Sequence, residues 1–173
     1  MIFIGLGANL PTEEFGSPRQ TLEAALDDLG RQGISLEALS GWYRTAPVPA
    51  SDQPWFVNAV ARVKCQLGPE DLLTRLHDVE ARFGRIRAER NGPRVIDLDL
   101  LAYQGLVSSA SGGVQLPHPR LAERAFVVWP LCDIAPDWHH PVTGQTCGEM
   151  KAALSTTLLK NQQIEKITGE AID

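Results

Sequence analysis

The sequence predicts an α+β fold: an antiparallel sheet with helices on one face and additions at the C-terminus. Two observations lead there. Apolar residues alternate with period two in some stretches and recur at helical spacing in others, in the order strand, helix, strand, strand, helix, strand. That order fits a ferredoxin-like βαββαβ core. The chain has 173 residues, which suits one domain with a full hydrophobic core. We expect residues 1–173 to form that domain, with a polar tail from about residue 160.

The elements follow in order. Met1 to Leu6 reads as a buried strand ending at Gly7. Gly5 and Gly7 would let a chain or ligand approach the backbone, or serve simply as packing glycines. Ser17-Pro18-Arg19-Gln20 starts a helix, with a Ser cap, Pro at the first position and a Gln capping-box partner. Leu22, Ala25, Leu26 and Leu29 form its apolar stripe, and Gly30 is expected to stop it. Ile34 to Tyr43 reads as a second strand, and the proline-rich run from Thr45 to Pro54 as a loop. Phe56 to Cys65 is the third strand. Val57, Ala59, Ala61, Val63 and Cys65 share the face suited to covering helices, and Phe56, Asn58 and Val60 share the other. An aromatic and an amide on one face suit a flat heteroaromatic ligand, though a core Phe and a strand-edge Asn would look the same.

Gly68-Pro69-Glu70-Asp71 starts a second helix with acids in its electropositive first turn. Leu72, Leu76, Val79 and Phe83 are its buried stripe, and Gly84 caps it. His77 and Glu80 fall on one side at i, i+3 spacing, pointing to a ligand or forming an ordinary surface pair. After a flexible connection at Ser108 to Gly113, Pro117-His118-Pro119 is a rigid turn presenting a histidine. A short apolar helix follows Arg124 and Phe126 and is expected to break near Pro130. His139-His140 reads as loop, Thr146 to Glu149 as a second capping box, and Ile164 to Ile167 as a possible edge strand.

Bulk properties narrow the function. The formal net charge is -5 and the pI about 5.4, so no nucleic-acid footprint covers the chain. Cys65, Cys132 and Cys147 lack metal-ligand spacing and read as reduced thiols. The N-terminus has no signal-peptide pattern, and no apolar run is long enough to span a bilayer. A cytoplasmic monomer is the expectation.

The chemistry concentrates between Arg85 and Leu101. Arg85, Arg87, Arg90 and Arg94 cluster around Gly92-Pro93. Guanidiniums bind phosphate in planar forks. Val95 to Leu101 then reads as a strand with Ile96, Leu98 and Leu100 on one face and Asp97 and Asp99 on the other, beside Val95 and Leu101. The two carboxylates would stand about 6–7 Å apart along the strand. Such a pair repels and loses solvation, so it calls for a cation. Oxygen ligands of this kind suit magnesium when substrate phosphates complete the shell. An acidic protein with a local cationic cluster favours a small anion over a polyanion.

Arg90-Asn91-Gly92-Pro93-Arg94-Val95-Ile96-Asp97-Leu98-Asp99-Leu100-Leu101 resembles the signature of 6-hydroxymethyl-7,8-dihydropterin pyrophosphokinases, enzymes of folate biosynthesis. The resemblance runs from Gly5-Leu6-Gly7-Ala8-Asn9 to Pro136. It includes Tyr43-Arg44-Thr45, Gln53-Pro54, Phe56 to Ala59, Pro117-His118-Pro119, and Arg124-Ala125-Phe126 leading into Trp129-Pro130-Leu131. It implies transfer of the diphosphate of ATP to the pterin hydroxymethyl group with release of AMP. By the same resemblance, Asp97 and Asp99 hold two Mg2+ ions, and Arg85 and Arg94 join them in catalysis. His77, Glu80, Arg87, Arg90, His118 and Arg124 bind ATP. Thr45, Ala46, Val48, Phe56, Asn58 and Phe126 bind the pterin. The sequence departs from the family pattern at Ala8, where Ser is common, at His77, where Gln is frequent, and at Asn91, where some members carry an aromatic. The arginine loop is one residue shorter than in some relatives.

Three rival readings make different predictions. A non-catalytic module on the same fold would not need the aspartate pair. An Asp-x-Asp sugar-nucleotide transferase would ignore pterins. An RNA-recognition domain would carry an aromatic strand motif, which is missing here. A P-loop kinase is excluded because no Gly-x-x-x-x-Gly-Lys-Ser/Thr run exists.

Overall fold

A computed structural model describes residues 1–85, 92–109, 113–157 and 162–168. The first strand, β1 (Ile2–Ala8), is followed by helix α1 (Pro18–Arg31), strands β2 (Ser35–Leu39), β3 (Tyr43–Thr45) and β4 (Phe56–Lys64), and helix α2 (Pro69–Arg82). Strand β5 (Asp97–Tyr103), helices α3 (Ala125–Ile134) and α4 (Cys147–Thr157) and strand β6 (Ile164–Lys166) complete the order. The sheet runs β5-β1-β4-β3-β6, with β2 also paired to β4, and every pairing is antiparallel. Taking β2 and β3 as one interrupted strand, this is the ferredoxin-like order with β6 added at one edge.

Local chemistry fixes the helix ends. Ser17 Oγ accepts from Gln20 N, and the Gln20 side chain accepts from Ser17 N at 2.9 Å. Thr146 and Glu149 make the same reciprocal pair at the start of α4. Helix α1 continues one residue past Gly30; the left-handed turn falls at Gly33, with φ of 83°. Gly84, also at 83°, ends α2 as expected.

The second strand expected over Ile34 to Tyr43 is interrupted. Leu39 faces Ala61 on β4 and Tyr43 faces Asn58, so four steps along one strand match three on the other. Ser40 occupies the break: its N–H donates to Val60 O at 3.0 Å, and its Oγ accepts from Val60 N at 3.0 Å. The extra residue turns Trp42 into the core beneath α1, while Tyr43 points to the opposite face.

Two cores sandwich the sheet. On one face, Val57, Ala59, Ala61, Val63, Ile4, Leu6, Leu98 and Leu100 pack against Leu22, Leu29, Leu72, Leu76 and Val79 of α1 and α2. On the other, Phe3, Val60 and Leu101 pack against Val127, Val128 and Leu131 of α3 and Met150 and Leu154 of α4. The core helices thus lie on one face, as the sequence predicts, but the C-terminal helices cover part of the face expected to be open. They cover the Phe3–Val60–Leu101 end and leave the Gly7–Asn58–Asp97 end to the cleft described below.

Pro130 does not break α3, which runs through it to Ile134. An interior proline costs about 3 kcal/mol. Burial of Val127, Val128 and Leu131 contributes about 1.5–3 kcal/mol each and outweighs that cost. His140 is a buried structural residue whose Nδ1 accepts from Val142 N and Thr143 N, each at 3.3 Å. No helix among the described residues is long and apolar enough to cross a membrane.

Candidate active site

Sheet register builds the site. Gly7 on β1 faces Asn58 on β4 and Asp97 on β5, and Gly5 faces Val60 and Asp99. Partners in register point to the same side, so Gly7 leaves bare backbone between the Asn58 amide and Asp97, and Gly5 does the same between Val60 and Asp99. The space is tight at Gly7, where a Cβ would stand 3.0 Å from Asn58 Oδ1. A larger residue there would press on the amide that the pocket presents.

Asp97 and Asp99 share this face, as their spacing predicts. Strand β5 starts only at Asp97, and Val95 packs toward the α1/α2 core rather than beside the aspartates. The cause is a clamp just before it. Asn9 N and Leu10 N both donate to Arg94 O, at 2.9 and 3.2 Å, and Arg94 N donates to Asn9 Oδ1 at 2.7 Å. Asn9 Nδ2 also donates to Pro54 O at 3.0 Å. The buried Asn9 therefore holds the Arg94 backbone and the proline-rich loop together, a role that its sequence neighbourhood alone does not reveal.

Arginines bind both carboxylates. Asp97 pairs with Arg85, at 2.6 Å, and with Arg94, and Asp99 pairs with Arg124 at 3.1 Å. Burial, and then the neighbouring Asp99 charge, raise the Asp97 pKa above 3.8, while Arg94 and Arg85 work to lower it. Glu80 lies beneath this pair. It is 1% exposed, pairs with Arg85, and accepts from Leu98 N at 2.7 Å. Burial raises its pKa, opposed by the Leu98 N–H and by Arg85. His77 is exposed, so it and Glu80 do not present one common surface.

The expected pterin residues come together. Thr45, Ala46, Val48, Phe56, Asn58 and Phe126 line one open cleft with Gly7, Arg94, Asp97 and Arg124. Its volume is about 120 Å³, roughly ten times what a single water requires. Asn58 Nδ2 donates to Thr45 Oγ1 at 2.8 Å, which fixes the amide orientation. Arg124 lies over the Phe126 ring at 5.5 Å. Arg120 and Gln162 also line the cleft and were not anticipated. Arg87 and Arg90 lie outside the described residues.

His118 is half-buried, and its Nδ1 accepts from Arg120 N at 3.1 Å. Burial lowers its pKa below 6.5, with Asp99 acting against the shift and Arg124 and Arg120 reinforcing it. The shift favours the neutral imidazole in the ligand-free protein. A neutral ring can donate a hydrogen bond from Nε2. A depressed pKa contributes stability that is present above 6.5 and is lost as pH falls through the folded value. An NMR titration of the His118 ring protons is expected to show a midpoint below 6.5; a midpoint at or above that value would contradict the assignment.

Among the described residues there is no cluster of three or more His, Cys, Asp or Glu side chains that could hold a metal. The Asp97–Asp99 pair still fits magnesium, which usually takes one or two carboxylates and completes its shell with water and phosphate. Burial, and then the Asp99 charge, disfavour the ionised form of Asp97, and a divalent cation at the pair would offset both.

The fold and site together define a ferredoxin-like α+β domain with an arginine–carboxylate cluster beside an open cleft. A family profile described as 7,8-dihydro-6-hydroxymethylpterin-pyrophosphokinase (HPPK) matches residues 3–136. The chain belongs to that family. It is 42% identical over 153 residues to the 2-amino-4-hydroxy-6-hydroxymethyldihydropteridine pyrophosphokinase of Methylorubrum extorquens, covering 88% of this chain and 92% of that protein. The Pseudomonas aeruginosa protein of the same name is 39% identical over 153 residues, covering 88% and 90%. Identity to the Pneumocystis carinii folic acid synthesis protein fol1 is 40% over 144 residues, covering 83% of this chain and only 18% of that protein. A solved Plasmodium falciparum HPPK-DHPS chain, with pterin and p-hydroxybenzoate, superposes with a TM-score of 0.70 at 12% identity. The match covers 94% of this chain and 46% of that one and supports the fold.

Proposed function

We propose that this protein transfers the β,γ-diphosphate of ATP to the hydroxymethyl oxygen of 6-hydroxymethyl-7,8-dihydropterin in folate biosynthesis, with magnesium. The substrate oxygen attacks the β-phosphorus, the bond from that phosphorus to the AMP oxygen breaks, AMP leaves, and the hydroxyl proton is released. The observation that carries the reading is the register Asn58–Gly7–Asp97. It makes the ring cleft and the carboxylate pair two ends of one surface.

Each side chain then has a physical task. Phe56 and Phe126 offer apolar faces for stacking, and Asn58, fixed by Thr45, reads the ring edge. Asp97 and Asp99 would hold magnesium, which when bound neutralises phosphate charge and lowers the pKa of the attacking hydroxyl. Arg85, Arg94 and Arg124 bond to carboxylates, and the same guanidiniums can donate to phosphate oxygens. An arriving polyphosphate therefore supplies new partners for the arginines as a cation takes the carboxylates. His77, Glu80, Arg87, Arg90 and His118 complete the proposed nucleotide side, with Glu80 acting through Arg85. We take the protein to work as a cytoplasmic monomer in which one domain carries the reaction.

The test is AMP release from ATP and magnesium with and without the hydroxymethyl dihydropterin. Pterin-dependent AMP release is expected, and its absence would refute the proposal. Phe56→Ala is expected to weaken pterin binding by about 1–3 kcal/mol through lost stacking and apolar burial, with ATP binding changed much less. Calorimetry with each ligand separately checks this, and the opposite preference would overturn the assignment of the cleft.

A further inference from the structure

The residues beyond Pro136 fall outside the family-profile match, yet part of that segment walls the cleft. Strand β6 pairs with β3, placing Ile164 opposite Thr45, and Ala46 N donates to Gln163 O at 3.1 Å. Two residues before β6, Gln162 reaches across to the start of α3. Its Oε1 accepts from Ala125 N at 2.8 Å, and its Nε2 donates to Glu123 O at 3.0 Å. These bonds fall on the residues immediately before and after Arg124. The side chain of Arg124, at the N-cap, makes no capping bond of its own, so Gln162 satisfies the first helical N–H from a remote part of the chain.

The other end of this segment is latched. Lys166 Nζ lies 2.8 Å from Asp133 Oδ2 on α3, and Ile167 N donates to Trp42 O at 2.9 Å. Tyr43 OH donates to the same Asp133 carboxylate. The segment is thus tied to α3 at both ends, and between the ties it lies along the cleft edge formed by Thr45 and Ala46.

We propose that Gln162 is a positioning residue for the site: by bracketing Arg124, it sets that guanidinium against Asp99 and the Phe126 ring against the cleft. The inference rests on the pyrophosphokinase reading. It assigns a part in substrate recognition to a polar tail that the family match does not include. Gln162 acts through Arg124 and Phe126, so its loss changes recognition more than the stability of a core that it does not enter.

Steady-state kinetics on the full chain test this with two variants. Gln162→Leu keeps the bulk and removes both bonds. Gln162→Glu keeps an acceptor for Ala125 N–H and loses the donor to Glu123 O. Gln162→Leu is expected to raise the pterin KM about tenfold, the scale of losing two ordinary hydrogen bonds. The ATP KM is expected to rise as well, because Arg124 lies on the proposed nucleotide side, while kcat stays near the parent value. Gln162→Glu is expected to recover part of the pterin KM. Unchanged KM values in Gln162→Leu, or a fall in kcat with both KM values at the parent level, would overturn the positioning role. Wild-type turnover separates the two failures. If the wild-type chain releases no AMP with pterin, the pyrophosphokinase reading falls and takes this inference with it. If it does and Gln162→Leu behaves like it, the inference alone falls.

Discussion

Asp97→Asn and Asp99→Asn are each expected to lower turnover by at least roughly 100-fold, the scale for losing one strong electrostatic contact in a reaction centre. Asn keeps the shape of Asp and removes its charge, so the loss reports on charge. The fold is expected to survive. Burial and Asp99 already push the Asp97 pKa upward, so deleting either charge relieves repulsion within the pair. The arginines left behind keep other anchors. Arg85 still pairs with Glu80, and the Arg94 backbone remains clamped by Asn9. Turnover measured across a magnesium series, with circular dichroism as the folding control, checks both statements. Near-normal turnover of both variants at ordinary magnesium would defeat the carboxylate-bound metal, and loss of the dichroism signal would show that the pair is structural.

What could be read from the sequence was chiefly what local rules determine. Ser17 with Gln20 and Thr146 with Glu149 are capping pairs three residues apart, and both form. The alternation Val57, Ala59, Ala61, Val63 placed Asn58 and Phe56 on the opposite face, because a buried face tolerates no slip in register. The same period placed Asp97 beside Asp99. The interruption at Ser40 was hidden, since a one-residue bulge leaves the apolar content of a strand unchanged. Pro130 misled because its intrinsic cost was visible and the packing that overrides it was not. Asn9 and Gln162 owe their roles to partners 85 and 37 residues away, a separation that no local pattern encodes. Glu80 sits in an amphipathic helix where an acid normally faces water. The Leu98 N–H and Arg85 that meet it there explain how it can be buried.

That burial makes Glu80 the residue whose loss should most damage the fold of the site. Glu80→Ala removes the acceptor of Leu98 N–H near the start of β5 and strips Arg85 of a buried partner. Arg85 is 18% exposed at its side chain, so water cannot readily replace the lost charge. Breaking such a pair from one side costs about 3–5 kcal/mol. Glu80→Gln keeps an oxygen for the Leu98 N–H and loses only the charge. Its expected cost is smaller, about 1–3 kcal/mol, that of weakening a charged hydrogen bond in the interior. Activity is expected to fall in both variants, because Arg85 also holds Asp97 at 2.6 Å and shifts when its second anchor is gone. Urea unfolding separates the contributions: a lower midpoint at constant slope reports lost stability, and the gap between Ala and Gln reports the Leu98 bond. If Glu80→Ala unfolded at the parent midpoint, Glu80 would not be the anchor of Arg85. If Gln were as damaging as Ala, charge rather than the strand hydrogen bond would account for the whole effect.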